Sequence, residues 1–458
     1  MYNSYRENSM SMRRLLFVIM LIGAVLIPAA ADSNFNFDLD VGIDYQEING
    51  KSYIGANLQP DISIGKFGVG LKGSLFFELN IGGDPPVSVI LDNWIPDFTG
   101  DVTLLDKVQT AAALYLPVFQ YVRYGFKGDP LYIKFGKLES QTMGSGLFVT
   151  NYANTTIAGT DILGGVLDVD GRLFDFPYVG FEAFTANLAE FDVIAGRLYV
   201  RPLAFVDFPV IRDIQLGGTY AVDRNPALYS EDLSFDPAMV SMYGADVLMP
   251  ILDTSFFKFV LFGDAGFQPD PEIPENVSVG YRTGFNGHIL SFLTFNADLT
   301  FPTEGFKPDY FNAAYDVQRQ DKYESAGISS DNYFLHAGAG FNLFQDSLVF
   351  DLDIASELSY LDGTFGVISP EMTAQLSLGE DVLGFVYFDA MYKKTQLADE
   401  SLEAFLQDVI SLKNAEIRAN VSIKYSIVVL DTGYIIEFDS TGTMLEPQVL
   451  VGATVSLF

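Results

Sequence analysis

The chain of 458 residues contains no cysteine, two histidines and one tryptophan. Without cysteine there is no disulfide framework, thiolate nucleophile or cysteine metal site, so a secreted form must be held by backbone pairing and packing. His288 and His336 are too few for a histidine-rich metal centre, and the sequence sets no nucleophile and orienting group beside either. Basic residues are scarce, 26 Lys and Arg against 59 Asp and Glu, for a net charge of −33. That excludes nucleic acid and anionic surfaces as partners. Beyond residue 31 no apolar run approaches the ~20 residues that a membrane-spanning helix needs. If that part of the chain crosses a bilayer, it crosses as strands, because only helices and closed barrels satisfy every backbone group in lipid.

The long apolar stretch that does exist is N-terminal. Arg13 and Arg14 precede Leu15 to Ile27, Pro28 ends the stretch, and Ala29, Ala30 and Ala31 follow. This is the order of a secretory signal peptide, over residues 1–31, with translation starting at Met1, Met10 or Met12 and a mature start at Asp32. Its removal takes away Arg6, Arg13, Arg14 and Glu7, leaving 23 basic and 58 acidic side chains, a net of −35. No linker divides residues 32–458, which read as one domain.

What fills that domain is alternation. Phe35, Phe37, Leu39, Val41, Ile43 and Tyr45 are separated by Asn36, Asp38, Asp40, Gly42 and Asp44. Successive side chains of a strand point to opposite faces, so this segment has an apolar face and an acidic one. The pattern recurs over residues 67–79, 289–301, 348–355 and 417–427, in runs of the length tilted transmembrane strands require. Turn signals such as Asn49-Gly50, Asp170-Gly171 and Asp362-Gly363 punctuate it. The expected fold is all-β: a closed antiparallel transmembrane barrel of about 18 strands (range ~14–20), with one or two short loop helices. Helical spacing marks residues 103–115 and 399–412 as those helices, on the rim or dipping into the lumen. Five long stretches, 81–101, 139–162, 223–238, 268–277 and 302–330, are expected mostly on the extracellular side. Strand-like sequence from Phe35 leaves no stretch for an N-terminal plug domain.

The chain ends on an alternating run, Val449 to Leu457, followed by Phe458. With the signal peptide and the strand series, this resembles the outer-membrane β-barrel proteins of diderm bacteria, porins included. The resemblance implies an outer-membrane location and recognition by the barrel-assembly machinery through the last strand and Phe458. The apolar residues of that strand stand one position out of phase with Phe458, a departure from the usual signal. The segment from Gly136 to Leu147, then Asn151 to Asn154, looks like segments in predicted spirochaete barrels.

The function expected is passive diffusion of small hydrophilic solutes through a water-filled lumen whose carboxylates favour cations. Lining candidates are Asp38, Asp40, Asp44, Glu78, Asp298, Asp351, Asp353 and Glu357, all on polar strand phases. Glu139, Asn151, Tyr152 and Asn154 are candidates for a constriction loop. The carboxylates repeat at i, i+2 along strands, a hydrated wall rather than a glycosidase pair. No enzyme activity, metal or cofactor is expected. The partners expected are outer-membrane lipid and small hydrophilic or cationic solutes; no residue pattern marks an oligomer face. The alternatives are a plugged barrel serving as surface structure or adhesin, and a fatty-acid-type channel for hydrophobic substrates.

Overall fold

The computed structural model describes residues 35–48, 51–79, 87–90, 118–157, 162–230, 232, 234–254, 256–325, 333–344, 347–361, 364–379, 382, 384–398, 401–425 and 428–456. The signal peptide, the predicted helix at 103–115 and Phe458 lie outside these residues. The described part is dominated by β1 (Phe35–Ile48), β2 (Lys51–Ile64), β3 (Phe67–Leu71), β4 (Gly73–Leu79), β5 (Val87–Ile90), β6 (Phe119–Tyr124), β7 (Leu131–Gly136), β8 (Val149–Thr150), β9 (Gly164–Asp170), β10 (Val179–Thr185), β11 (Val193–Val200) and β12 (Gln215–Asp223). It continues through β13 (Val240–Asp253), β14 (Phe257–Pro269), β15 (Val277–Ile289), β16 (Leu293–Pro302), β17 (Phe311–Asn312), β18 (Tyr333–Leu343), β19 (Leu348–Leu361), β20 (Thr364–Leu378), β21 (Val386–Lys394), β22 (Ala415–Tyr425), β23 (Val428–Glu437) and β24 (Gln448–Ser456).

Among the described residues, 22 of these strands form one sheet. Its pairings are antiparallel between chain neighbours, as short connections demand. Two interruptions account for two of these strands, leaving 20 rows, at the upper end of the expected range of ~14–20. β3 and β4 pair with successive stretches of β2, and β5 and β6 pair with β4 and β3 in turn. β24 pairs with β1 through Asp40↔Ser456, Val41↔Val455 and Gly42↔Thr454, so the order of neighbours returns to the first strand. The turn signals at Asn49-Gly50 and Asp362-Gly363 are flanked by Ile48↔Lys51 and Leu361↔Thr364, the turn residues themselves lying outside the described set. One expected run, 289–301, is broken: Leu290 and Ser291 both take φ near +60° (58° and 61°), forming a turn between β15 and β16 without glycine or asparagine.

The alternation sorts the side chains onto two faces. In β11, Arg197 is 1% exposed while its neighbour Leu198 is 56% exposed. Phe181, Leu216, Tyr220, Tyr243, Val247, Leu261, Tyr281 and Phe285 are exposed on that same apolar phase of neighbouring strands. This inverts the arrangement of a water-soluble sheet, where the apolar face is the covered one. Because direction reverses at each step, the start of β1 and the end of β24 share one edge. The connections after β7, β12, β14, β16 and β21 leave from the other edge. Four of the five long stretches expected on one side, 139–162, 223–238, 268–277 and 302–330, therefore do emerge together. Of the fifth, only Val87–Ile90 is described, and it is a strand.

Candidate functional site on the polar face

Two of these connections turn back over the sheet. The segment after β7 carries β8, and the segment after β16 carries β17. The two short strands pair in parallel, Phe311↔Val149 and Asn312↔Thr150. Further ties are Asp309 N–H to Leu147 O at 3.0 Å, Phe311 N–H to Phe148 O at 3.0 Å, and Thr150 Oγ1 donating to Asp309 Oδ1 at 2.8 Å.

Both segments lie on the polar face. Tyr152 stacks on Phe184 of β10 with ring centroids 5.4 Å apart, and Ser145 Oγ donates to Asp264 of β14 at 2.5 Å. Phe148 lies over Gly244 of β13 and Gly266 of β14, where an added Cβ would come within 2.7 and 2.5 Å of its ring. These glycines leave room for an aromatic ring where a side chain would have stood. Around it, Leu138, Met143, Leu147, Phe306, Tyr310 and Phe311 form a buried core with Val166, Ala195, Ala221 and Met242 of the wall. Gly266→Leu is expected to displace Phe148 at a cost of ~1–3 kcal/mol, as overpacking does. It should be read as faster protease cleavage within residues 138–154, with the apolar face unchanged.

Arg319, in the helix Arg319–Glu324, is the main polar tie. Its Nη2 donates to Asp192 Oδ2 at 2.5 Å and to Asp316 Oδ1 at 2.7 Å, and its Nη1 to Asp223 Oδ2 at 3.1 Å. The side chain is 3% exposed, and its guanidinium sits 4.7 Å from the ring centroid of Tyr229 and 5.3 Å from that of Tyr315. Burial opposes its charge, but Asp223, Asp316 and Asp192 outweigh it and hold the guanidinium above its ordinary value. Burial pushes the Asp316 carboxyl up, against the pull of Arg319. Tyr152 donates to Asp316 at 3.0 Å, and burial raises its hydroxyl well above the usual tyrosine value, with Asp316 adding to the effect.

From the segments a line of charge runs across four strands. Asp309 accepts from Arg282 of β15 at 2.9 Å, Arg282 pairs with Asp298 of β16 at 3.3 Å, and Asp298 meets His336 Nδ1 of β18 at 3.1 Å. His336 Nε2 lies 3.3 Å from Asp353 of β19. Asp351, Asp353 and Glu357 share one phase of β19 opposite Gly340, Gly338 and Phe334. Glu78 is half-buried on the polar phase of β4, in register with Tyr53. Asp38, Asp40 and Asp44 occupy the corresponding phase of β1, opposite Asp61, Gln59 and Gly55, and their side chains fall outside the described residues. Beyond the segments, a cavity of about 630 Å³ is lined by Gln375, Asp389, Arg418, Asn420 and Asp431 among others.

The four loop candidates divide. Glu139 and Asn151 are exposed, the latter at φ 51° with its Oδ1 accepting from Ser140 Oγ at 3.0 Å. Tyr152 and Asn154 are buried; Asn154 accepts from Leu138 N–H at 2.8 Å and donates to Ala186 O at 2.7 Å. Sequence reasoning missed Arg282, Asp309 and the Arg319 cluster, in which Asp316 and Arg319 meet Asp192 and Asp223 from distant parts of the chain. The visible trace of that arrangement was glycine on polar strand phases, at 244, 266 and 280, together with the aromatic residues at 306–315.

No protein family matches the chain, and no curated protein matches it. Among solved structures, the chain is similar to Wzi, a carbohydrate-binding outer-membrane β-barrel protein involved in group 1 capsule assembly in Escherichia coli. Identity is 10% over 95% of this chain and 86% of that one, with a TM-score of 0.33. It is similar also to OpdK of Pseudomonas aeruginosa, solved with vanillate (10% identity, 93% and 98% covered, TM-score 0.35), and to the outer-membrane protein OprD of P. aeruginosa (12%, 92% and 92%, 0.35). A likeness of this degree identifies neither substrate nor mechanism.

Proposed function

We propose that the mature chain is a closed outer-membrane β-barrel that passes small hydrophilic solutes by diffusion, with a preference for cations, through a lumen narrowed by the two segments on its polar face. The inversion of the sheet carries this reading: Arg197 is enclosed and Leu198 beside it is bare. A face of exposed Phe, Leu and Tyr across neighbouring strands suits lipid, and a charged opposite face suits a watery interior. The β1–β24 pairing supports closure, which removes the edge strands that lipid would not tolerate. In this reading residues 1–31 direct export, and the last strand with Phe458 engages the assembly machinery.

Selectivity follows from charge. Asp351, Asp353, Glu357 and Glu78 occupy polar phases, Asp38, Asp40 and Asp44 join them by register, and Asp298 is neutralised in part by Arg282 and His336. Glu139 and Asn151 border the passage, while Tyr152 and Asn154 hold their segment to the wall. A salt gradient across a planar bilayer is expected to give a reversal potential of cation-selective sign. Asp351→Asn with Asp353→Asn should reduce it, and raising salt should weaken it as the Debye length falls below ~10 Å. An anion-selective potential overturns the acidic-lumen reading. The extent of the two segments favours a second reading, a plugged barrel serving as surface structure, and absence of any conductance from protein shown to be inserted would favour that instead.

A further inference from the structure

The connection between β21 and β22 holds the helix Leu402–Val409, within the stretch 399–412 that helical spacing marks. Ser401 caps it by accepting from Ala404 N–H at 3.1 Å. Unlike the segments on the polar face, this connection rests on the other side of the sheet. Its two anchors on β21 are Tyr392 and Lys394, which register with Ala374 and Met372 on the apolar phase. The Tyr392 hydroxyl donates to the carbonyls of Val409 and Ser411 at 2.7 and 3.0 Å. Lys394 is wholly buried, and its ammonium donates to Asp408 Oδ1 at 3.1 Å, Ser411 Oγ at 2.7 Å and Lys413 O at 2.6 Å. A lysine on the apolar phase at the strand end is thus fully satisfied, and the connection is fixed to the outside of the sheet.

So fixed, it presents Leu406 (57% exposed), Ile410 (82%) and Leu412 to the surroundings. They stand at the β21–β22 end of the strands, on the same side of the sheet as exposed Ile423, Leu430 and Tyr434, of which Ile423 and Leu430 lie near the β22–β23 turn at the other end. We propose that this helix and the turn after it lie in the headgroup–acyl boundary of the lipid leaflet at the edge opposite the chain termini, with Leu406, Ile410 and Leu412 among the acyl chains. The occupant is lipid because the connection is anchored, through Tyr392 and Lys394, on the side of the sheet that lipid would cover. This rests on the membrane reading above and adds an external anchor to it.

The test uses the full mature chain folded into phosphatidylcholine vesicles. Trp94→Phe removes the one native tryptophan. Ile410→Trp then reports on the helix, and Leu198→Trp reports on the apolar face of β11. A helix seated ~5–10 Å into the boundary predicts a roughly twofold drop in Ile410→Trp emission when the acyl chains are brominated, with little quenching by aqueous iodide. Iodide quenching without bromolipid quenching at position 410, while position 198 is quenched by bromolipid, overturns the inference and leaves the membrane reading intact. Loss of bromolipid quenching at both positions overturns both. Shielding of position 410 from both quenchers, with chain-to-chain crosslinking there, overturns it in favour of a second copy on this surface.

Discussion

Arg319→Met is expected to free the segment 303–325 from the wall and to raise single-channel conductance. The substitution leaves Asp192, Asp223 and Asp316 enclosed together, with side-chain exposures of 0, 0 and 1%, and without their shared cation. Removing one partner of a buried ion pair costs ~3–5 kcal/mol, chiefly because the remaining charge has neither water nor a counter-ion. Besides the two residue pairs of β8 with β17, the segment keeps the buried core of Phe306, Tyr310 and Phe311 and the Asp309–Arg282 pair. It should therefore loosen first around Asp316 and the helix Arg319–Glu324, before the sheet opens. Arg319→Lys keeps the charge but loses the planar fork that reaches three carboxylates, so an intermediate conductance is expected. Planar-bilayer recordings and protease protection of residues 303–325 check the two consequences separately. Unchanged conductance with a detached segment would show that it does not narrow the passage.

The second large effect concerns the faces of the sheet. Leu198→Lys places a charge on the apolar phase of β11 and is expected to destabilise the folded barrel by ~2–4 kcal/mol if the site lies near the bilayer midplane. Asn420→Lys, on the polar phase of β22 beside the cavity, is expected to change stability by less than ~1 kcal/mol, in line with other substitutions free of burial penalties. Urea unfolding from vesicles, monitored by gel migration without heating, measures both. Equal costs at the two positions would remove the assignment of lipid and water to the two faces, and with it the channel.

The strands were legible because their signal is local. A period of two is written in consecutive residues, so Phe35 to Tyr45 announce a strand and its two faces before any partner is known. The phase within a strand was legible for the same reason, as for Asp351, Asp353 and Glu357 of β19, while the register between strands brings Asp298 and His336 onto the same face. Breaks in strands were not legible. The turn at Leu290-Ser291 uses positive φ in residues with no preference for it, held there by the pairing of β15 with β16. The separation of β3 from β4 comes with a register shift against β6 at Gly70 and Leu71, which depends on the neighbouring strand.

The loops show the same limit more sharply. Spacing marks residues 399–412 as helical but does not say on which side of the sheet the helix rests; hydrogen bonds from Tyr392 and Lys394 decide that. Asn151 and Tyr152 are adjacent and equally plausible as lining residues by composition, yet one is exposed and the other enclosed. Alternation along the chain specifies strands, faces and the sign of the charge, because each depends on neighbours one or two residues away. The placing of the two segments on the polar face depends on contacts such as Ser145 with Asp264, Thr150 with Asp309 and Tyr152 with Asp316, separated by 119, 159 and 164 positions. No periodicity records such pairs, since each exists once and its free energy appears only when the sheet has brought both partners to the same face.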